Sequence, residues 1–313
     1  MSFWAVFFMF LVSSTAFSAV ERQPCGTLSE PSGVVQLLDG RLLVVEDEKH
    51  TPLRLLSSKG KPLALSADSV LGKLADLEAV AMDNNGFIYA ITSHSRTHDG
   101  KRSDAREKLV RFTIEGQTVH HVVEINTLRK EMGKLSHTLK AALKIRDVKQ
   151  DSGFNIEGLS FDQHKRHLLI GLRSPVVKKK AVVLVLKNPK TLFDKHERPD
   201  FKKSPIYLDL DNGGIRSITF DPYLKGYLIV SRHEKKGKKF KLWWWSGQKS
   251  QAPRRVHING KFDLSNAEGI TSVRGKGGRK LMIVFDVGNS SKRHKGCYAF
   301  IDYSQLKIEG GVP

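Results

Sequence analysis

Three glutamates stand at one position of a recurring phrase. Glu78 lies in Asp76-Leu-Glu-Ala-Val-Ala-Met-Asp83, Glu157 in Asn155-Ile-Glu-Gly-Leu-Ser-Phe-Asp162 and Glu268 in Asn266-Ala-Glu-Gly-Ile-Thr-Ser272. Carboxylates that converge repel one another unless they are protonated, paired with cations or bridged by metal. Their hard oxygen donors favour calcium or magnesium over zinc. Glu78, Glu157 and Glu268 are therefore expected to hold Ca2+ or another divalent cation, with no organic cofactor expected. An ion held there would polarise a phosphate or other ester and activate water. Two further copies of the phrase differ at the same position: Pro31 to Asp39 carries Ser32, and Gly214-Ile-Arg-Ser-Ile-Thr-Phe-Asp221 carries Arg216. The plainer alternative follows from Arg216. The ring neutralises itself by Glu–Arg pairing, or its glutamates merely hydrogen-bond neighbouring strand ends.

After each phrase come a turn and an apolar run ending in polar residues: Leu42–Asp47, Ile88–Ser93, Leu168–Arg173, Leu228–Arg232 and Leu281–Asp286. If phrase and run are the first two strands of an antiparallel unit, the phrase's start and the run's end share one face. That places Arg173, Arg232, His94 and His233 near the glutamates as catalytic candidates, the arginines stabilising developing negative charge. Arg216, Lys178 and Lys236 are the anion-binding candidates, with the basic loops around them forming a cationic rim. Ordinary surface ion pairs are the alternative role for these side chains. Ser93 and His94 are adjacent on a strand and point apart, so they make no dyad. The chain has no Gly-x-Ser-x-Gly elbow, no His-Glu-x-x-His helix, no Walker loop and no Gly-x-Gly-x-x-Gly turn.

What must position these residues is an array. The anchors Ser32, Glu78, Glu157, Arg216 and Glu268 are 46, 79, 59 and 52 residues apart, room for four strands each. Four-stranded units repeated about an axis form a β-propeller, all-β, of five blades, or six if a degenerate unit is hidden. Strands are expected at 156–161, 167–172, 181–186 and 205–210 in the third unit, and at 215–220, 227–231, 240–245 and 254–258 in the fourth. The last unit lacks an outer strand, which residues 21–30 are expected to supply. That closure would bring Cys25 to Cys297 as a disulfide; two unpaired buried cysteines are the alternative. Leu128, Met132, Leu135, Leu139 and Leu143 make one apolar stripe, predicting an amphipathic helix within an insertion over about 126–150. Trp243, Trp244 and Trp245 alternate faces and are expected to pack between blades.

The chain has 313 residues, with 52 Lys and Arg against 32 Asp and Glu, a net charge of +20. Such a surface suits an anionic small molecule or polymer, and a membrane surface is a further candidate. No helix-turn-helix, RNA-binding or zinc-finger pattern is present, and no specific nucleic acid is expected. Residues 1–18 read as a signal peptide: uncharged, apolar from Phe3 to Val12, with small residues at Ala16 and Ser18. The n-region lacks Lys and Arg, so an uncleaved N-terminal anchor is the alternative. A periplasmic or secreted location follows, with residues 19–313 forming one domain. Oligomeric state is not readable.

Asp76-Leu-Glu78, Ser93-His-Ser95, Ile156-Glu-Gly158, Gly171-Leu-Arg-Ser-Pro175, Gly214-Ile-Arg216 and Ala267-Glu-Gly269 together resemble the bacterial domain-of-unknown-function family numbered 3616, over roughly residues 30–305. The resemblance implies a β-propeller. The Glu-Gly phrase is also similar to that of phytase-like esterase and gluconolactonase-like propellers, which implies inner-strand carboxylates holding a divalent cation. The chain departs from that pattern at Ala79, Ser32 and Arg216.

Overall fold

The computed structural model describes residues 20–23, 28–47, 52–67, 71–146, 153–233, 239–260, 262–275, 278–287 and 296–311. The residues read as a signal peptide, together with Cys25 and Lys236, lie outside these ranges. Among the described residues no helix is long and apolar enough to cross a membrane.

Among the described residues twenty strands form five antiparallel sheets. The first is β1 (Pro31–Gln36), β2 (Leu42–Glu46), β3 (Leu53–Leu56) and β4 (Pro62–Leu63). The second is β5 (Leu77–Met82), β6 (Ile88–Thr92), β7 (Leu109–Glu115) and β8 (Thr118–Ile125). The third is β9 (Asn155–Asp162), β10 (His167–Val177), β11 (Lys180–Leu186) and β12 (Ile206–Leu208). The fourth is β13 (Gly214–Asp221), β14 (Gly226–Arg232), β15 (Phe240–Trp245) and β16 (Arg254–Ile258), with the late strand β20 (Leu306–Ile308) on its outer edge. The fifth is β17 (Ala267–Gly275), β18 (Gly278–Phe285) and β19 (Cys297–Asp302). Innermost strands pack in sequence, β1 on β5, β5 on β9, β9 on β13, β13 on β17, and β17 back on β1. This is a five-bladed propeller.

The expected closure is visible at Gln23, which forms an antiparallel bridge with Tyr298 and donates its N–H to the Tyr298 carbonyl at 2.8 Å. The chain's last strand was not anticipated; it pads the fourth blade instead of the fifth. Cys297 is half-buried at the start of β19.

Five apolar clusters hold the ring, one at each blade interface. The second strands are apolar throughout because alternate residues enter different interfaces. Ile88 and Ala90 of β6 face the first blade, whereas Tyr89 and Ile91 face the third. The tryptophans follow the same alternation. Trp244 packs toward the fifth blade and Trp245 toward the third, and each indole N–H reaches a backbone carbonyl.

The aspartate that ends the phrase has a local task. Asp83 Oδ1 accepts the N–H groups of Asn85 and Phe87, and Asp221 Oδ1 those of Tyr223 and Leu224, closing each first hairpin. The glycine after the glutamate has a packing task. A Cβ on Gly269 would lie 2.8 Å from the Gly33 Cα on the adjacent inner strand, and one on Gly158 2.9 Å from Ile215 Cγ2.

The insertion is two short helices, α1 (Leu128–Gly133) and α2 (His137–Ala142), not the single helix expected. The stripe residues Leu128, Met132 and Leu139 are buried as the periodicity requires. Gly133 ends the first helix, and Ser136 Oγ accepts the Leu139 N–H to cap the second.

Candidate functional site

In all five blades the anchor residue is the extra residue of a β-bulge. Pro31 pairs with Glu46 and Gly33 with Val45, which leaves Ser32 unpaired in the ladder. Glu78, Glu157, Arg216 and Glu268 are skipped in the same way, between Leu77 and Ala79, Ile156 and Gly158, Ile215 and Ser217, and Ala267 and Gly269. A bulge re-aims one side chain out of the strand's alternation. Repeated five times about the axis, it turns Ser32, Glu78, Glu157, Arg216 and Glu268 into one cavity of about 330 Å3 at the channel mouth.

The anchors do not meet as a free carboxylate ring. Arg216 stands between two of them, with Nη1 2.7 Å from Glu157 Oε2 and Nη2 paired with Glu268 Oε1. Arg173 Nη1 donates to Glu157 Oε1 at 2.8 Å. Burial works against the charge on Arg216, but Glu157 and Glu268 outweigh it and hold the guanidinium above its ordinary range. Burial pushes Glu268 up to about 7, with the shared Arg216 only partly offsetting it.

Glu78 is different. Among the described residues it has no hydrogen-bond or ion-pair partner, and it faces the cavity from the bulge of β5. Burial, and then the negative charges of Glu157, Asp76 and Asp47, hold its carboxyl well above the usual range. Beside it, Asp47 is pushed up to about 8 by burial and by the neighbouring carboxyl of Asp76. Asp76 is clamped by Arg106 Nη2 and by Ser95 Oγ at 3.2 Å. The mouth therefore has two halves: arginine-neutralised Glu157 and Glu268, and a carboxyl-rich cluster of Asp47, Asp76 and Glu78.

The other predicted residues separate. Arg173 and Arg216 line the cavity. Arg232 lies near Arg216 and Arg173, whose charges with burial lower its own pKa, and it stacks over Phe240. His233 does not line the cavity. His94 is fully buried away from it, with Nδ1 3.0 Å from the Thr92 carbonyl oxygen. Burial lowers its pKa to about 4. Its left-handed backbone, φ 53°, breaks the strand alternation that would have aimed the ring at the mouth. Lys178 is exposed on the β10–β11 turn and outside the cavity. Asp47, Asp76 and Arg106 complete the mouth without having been singled out. Asp76 opens the second phrase and Asp47 closes the first apolar run, so their positions carried the signal.

The trio Glu78, Glu157 and Glu268 does not fit a divalent cation as a set. The guanidinium of Arg216 occupies the place between two of its members that the ion would take. Among the described residues, no group of three or more His, Cys, Asp or Glu has an arrangement that holds a metal ion.

Several solved structures are similar in shape. An auxiliary nutrient binding protein from Bacteroides thetaiotaomicron is 10% identical with a TM-score of 0.46, covering 91% of this chain; the chain spans 59% of that protein. A putative oxidoreductase (glucose dehydrogenase) from Thermus thermophilus is 14% identical, TM-score 0.45, covering 90% of this chain and 100% of its own. A putative gluconolactonase is 10% identical, TM-score 0.45, covering 93% of each chain. No curated protein sequence matches. The family model described as "Protein of unknown function (DUF3616)" matches residues 56–302, and the chain belongs to that family.

Proposed function

We propose that the channel mouth is the site of a small-molecule hydrolase that cleaves a neutral, hydroxylated ester by carboxyl acid–base chemistry. The observation that carries this reading is Glu78, a carboxyl with no hydrogen-bond or ion-pair partner among the described residues, which burial holds above its usual range and which faces a cavity of about 330 Å3. That volume is at the small end of ligand sites. A carboxyl with a raised pKa beside carboxylates of another character supports a division between acid and base. Asp76, paired with Arg106, accepts a proton from water as the water oxygen attacks the ester carbon. Glu78 gives its proton to the departing alkoxide as the carbon–oxygen bond breaks. The proton on Asp76 then returns through solvent to Glu78. Arg173 and Arg106 line the same cavity and supply positive potential for the oxyanion. Carboxylates outnumber guanidiniums in the lining, which supports a neutral substrate over an anion at this spot.

The buried Glu157–Arg216–Glu268 ion-pair network supports a second reading, a rigid non-catalytic binding site. A panel of carboxylic esters, lactones and phosphomonoesters, with and without chelator, decides between the two. The hydrolase reading expects turnover of a neutral ester that is unaffected by chelator and lost in Glu78→Gln. Absence of turnover across the panel would favour the binding site, and chelator-sensitive turnover would overturn the metal-free route.

A further inference from the structure

We infer that a second site, a basic trough beside the mouth, docks a linear acidic polysaccharide. The trough is about 1190 Å3, bounded by α1, α2, the segment 196–199 and Arg96 and Arg102 of the β6–β7 loop. Eight lysines and arginines line it against two glutamates.

The cations fall into two groups. Arg129 is committed to structure, with Nη1 donating to the His94 carbonyl at 2.7 Å and Nη2 to the Leu143 carbonyl at 2.6 Å. Arg96 Nη1 donates to the Gly100 carbonyl at 3.0 Å, Arg102 pairs with Glu107, and Lys134 with Glu131. These contacts fix the walls. Lys130, Lys140, Lys144 and Arg198 are exposed, and among the described residues their side chains have no ion-pair partner. Lys140 lies in the last turn of α2 and Lys144 in the turn just past its end, and both line the trough. The fold thus holds four uncompensated cations on one concave surface.

The chemistry of the lining selects the class of polyanion. The rings in the trough are the imidazoles of His137 and His196, with no Phe, Tyr or Trp, so nucleobases lack the large aromatic platforms of single-strand binding grooves. The exposed large apolar residues, Leu38 and Tyr207, lie elsewhere, so nothing here would enter a lipid layer. Three of the four cations are lysines, mobile point charges that suit carboxylate or sulfate groups spaced along a chain better than one phosphate in a guanidinium fork. The assignment is independent of any activity at the mouth.

Binding of the full chain to polygalacturonate, titrated at two salt concentrations, tests it. The variant Lys130→Gln/Lys140→Gln/Lys144→Gln/Arg198→Gln should bind about tenfold more weakly, with a shallower salt dependence and an unchanged circular dichroism spectrum. The control Lys178→Gln/Lys179→Gln/Lys180→Gln removes three exposed charges outside the trough and should bind within about twofold of the parent. Equal losses in both variants would overturn the site, because the attraction would then be the whole protein's charge. Tighter binding of an oligonucleotide or of phosphatidylglycerol vesicles than of polygalacturonate would overturn the ligand class.

Discussion

Arg216 and Glu157 open the inner strands of adjacent blades and meet at 2.7 Å, a contact made possible because each is the bulged residue of its strand. Arg216 is 8% exposed and Glu157 3%, so both charges are effectively out of water. Removing one partner leaves the other uncompensated. Arg216→Met should therefore destabilise the protein by roughly 3–5 kcal/mol. Adding Glu157→Gln and Glu268→Gln should restore much of that loss, since neither glutamate is then left charged without Arg216, and Arg173, which loses Glu157, is 30% exposed and reaches solvent. Chemical unfolding of the parent, single and triple variants measures both effects. A single variant as stable as the parent would mean that the network carries no energetic weight.

Glu78 offers a contrast because it has no such partner. The folded protein keeps its carboxyl protonated above the pH at which an unfolded chain would release the proton. A raised acid of this kind contributes stability below its ordinary pKa, and that contribution is lost as pH rises. Glu78→Gln removes the titration while keeping the size. It should raise the melting temperature at neutral pH and abolish ester turnover at the same time. A stabilised, inactive variant is the signature of a residue kept for chemistry at a cost in stability. A destabilised variant would give Glu78 a structural role.

Much of this arrangement was written in the recurring phrase. In the three middle copies the shared spacing of anchor, following small residue and closing aspartate corresponds to bulge, close inter-blade contact and hairpin cap, three local requirements set by backbone geometry. What the phrase could not convey was pairing across blades. Whether Glu157 ligates an ion or meets Arg216 depends on which blades adjoin, a property of the closed ring. His94 was misplaced because strand alternation was assumed to continue past Thr92, whereas the chain turns left-handed at the next-but-one residue. The split of the helical insertion was legible in principle, since Gly133 and Ser136 are end signals inside an otherwise continuous stripe.

The close approach of β17 to β1 gives a packing test at the seam where the ring closes. A methyl group on Gly269 would sit 2.7 Å from Val284 Cγ2 and 2.8 Å from the Gly33 Cα, and the latter cannot swing away. Gly269→Ala should cost about 1–3 kcal/mol. The equivalent residue of the second blade is already Ala79, facing Gly33 from the other side, so Ala79→Gly should cost no more than about 1 kcal/mol. Comparing the two by thermal unfolding separates a blade-specific constraint from a general demand for glycine.

Above pH 6.5, Asp47 provides a titration that His94 does not obscure. Its pKa of about 8, set by burial and by Asp76, means the folded state binds a proton that the unfolded state has released from about pH 3.8 upward. Stability from this group is complete below pH 3.8 and declines as pH rises through 8. Between pH 6.5 and 8.5 the melting temperature of the parent should fall, and Asp47→Asn should flatten that slope. An unchanged slope would show that Asp47 does not hold its proton in the folded state above the pH at which the unfolded chain releases it.

His94 governs the acid side by the opposite sign. Its ring is fully buried, so protonation would place a desolvated charge in the core, and burial depresses its pKa to about 4 despite the nearby Glu107. In the unfolded chain the ring takes up a proton near pH 6.5, so the unfolded state binds more protons than the folded one between about pH 6.5 and 4. Stability is therefore full above pH 6.5 and drains away as pH falls through that window. Asparagine tolerates the left-handed backbone at this position, which makes His94→Asn the appropriate test. The variant should start from lower stability, because the ring's packing and its bond to the Thr92 carbonyl are lost, yet lose less on acidification from pH 6.5 to 4.5. Parallel acid sensitivity in parent and variant would assign the acid limb to other groups and leave His94 as packing alone.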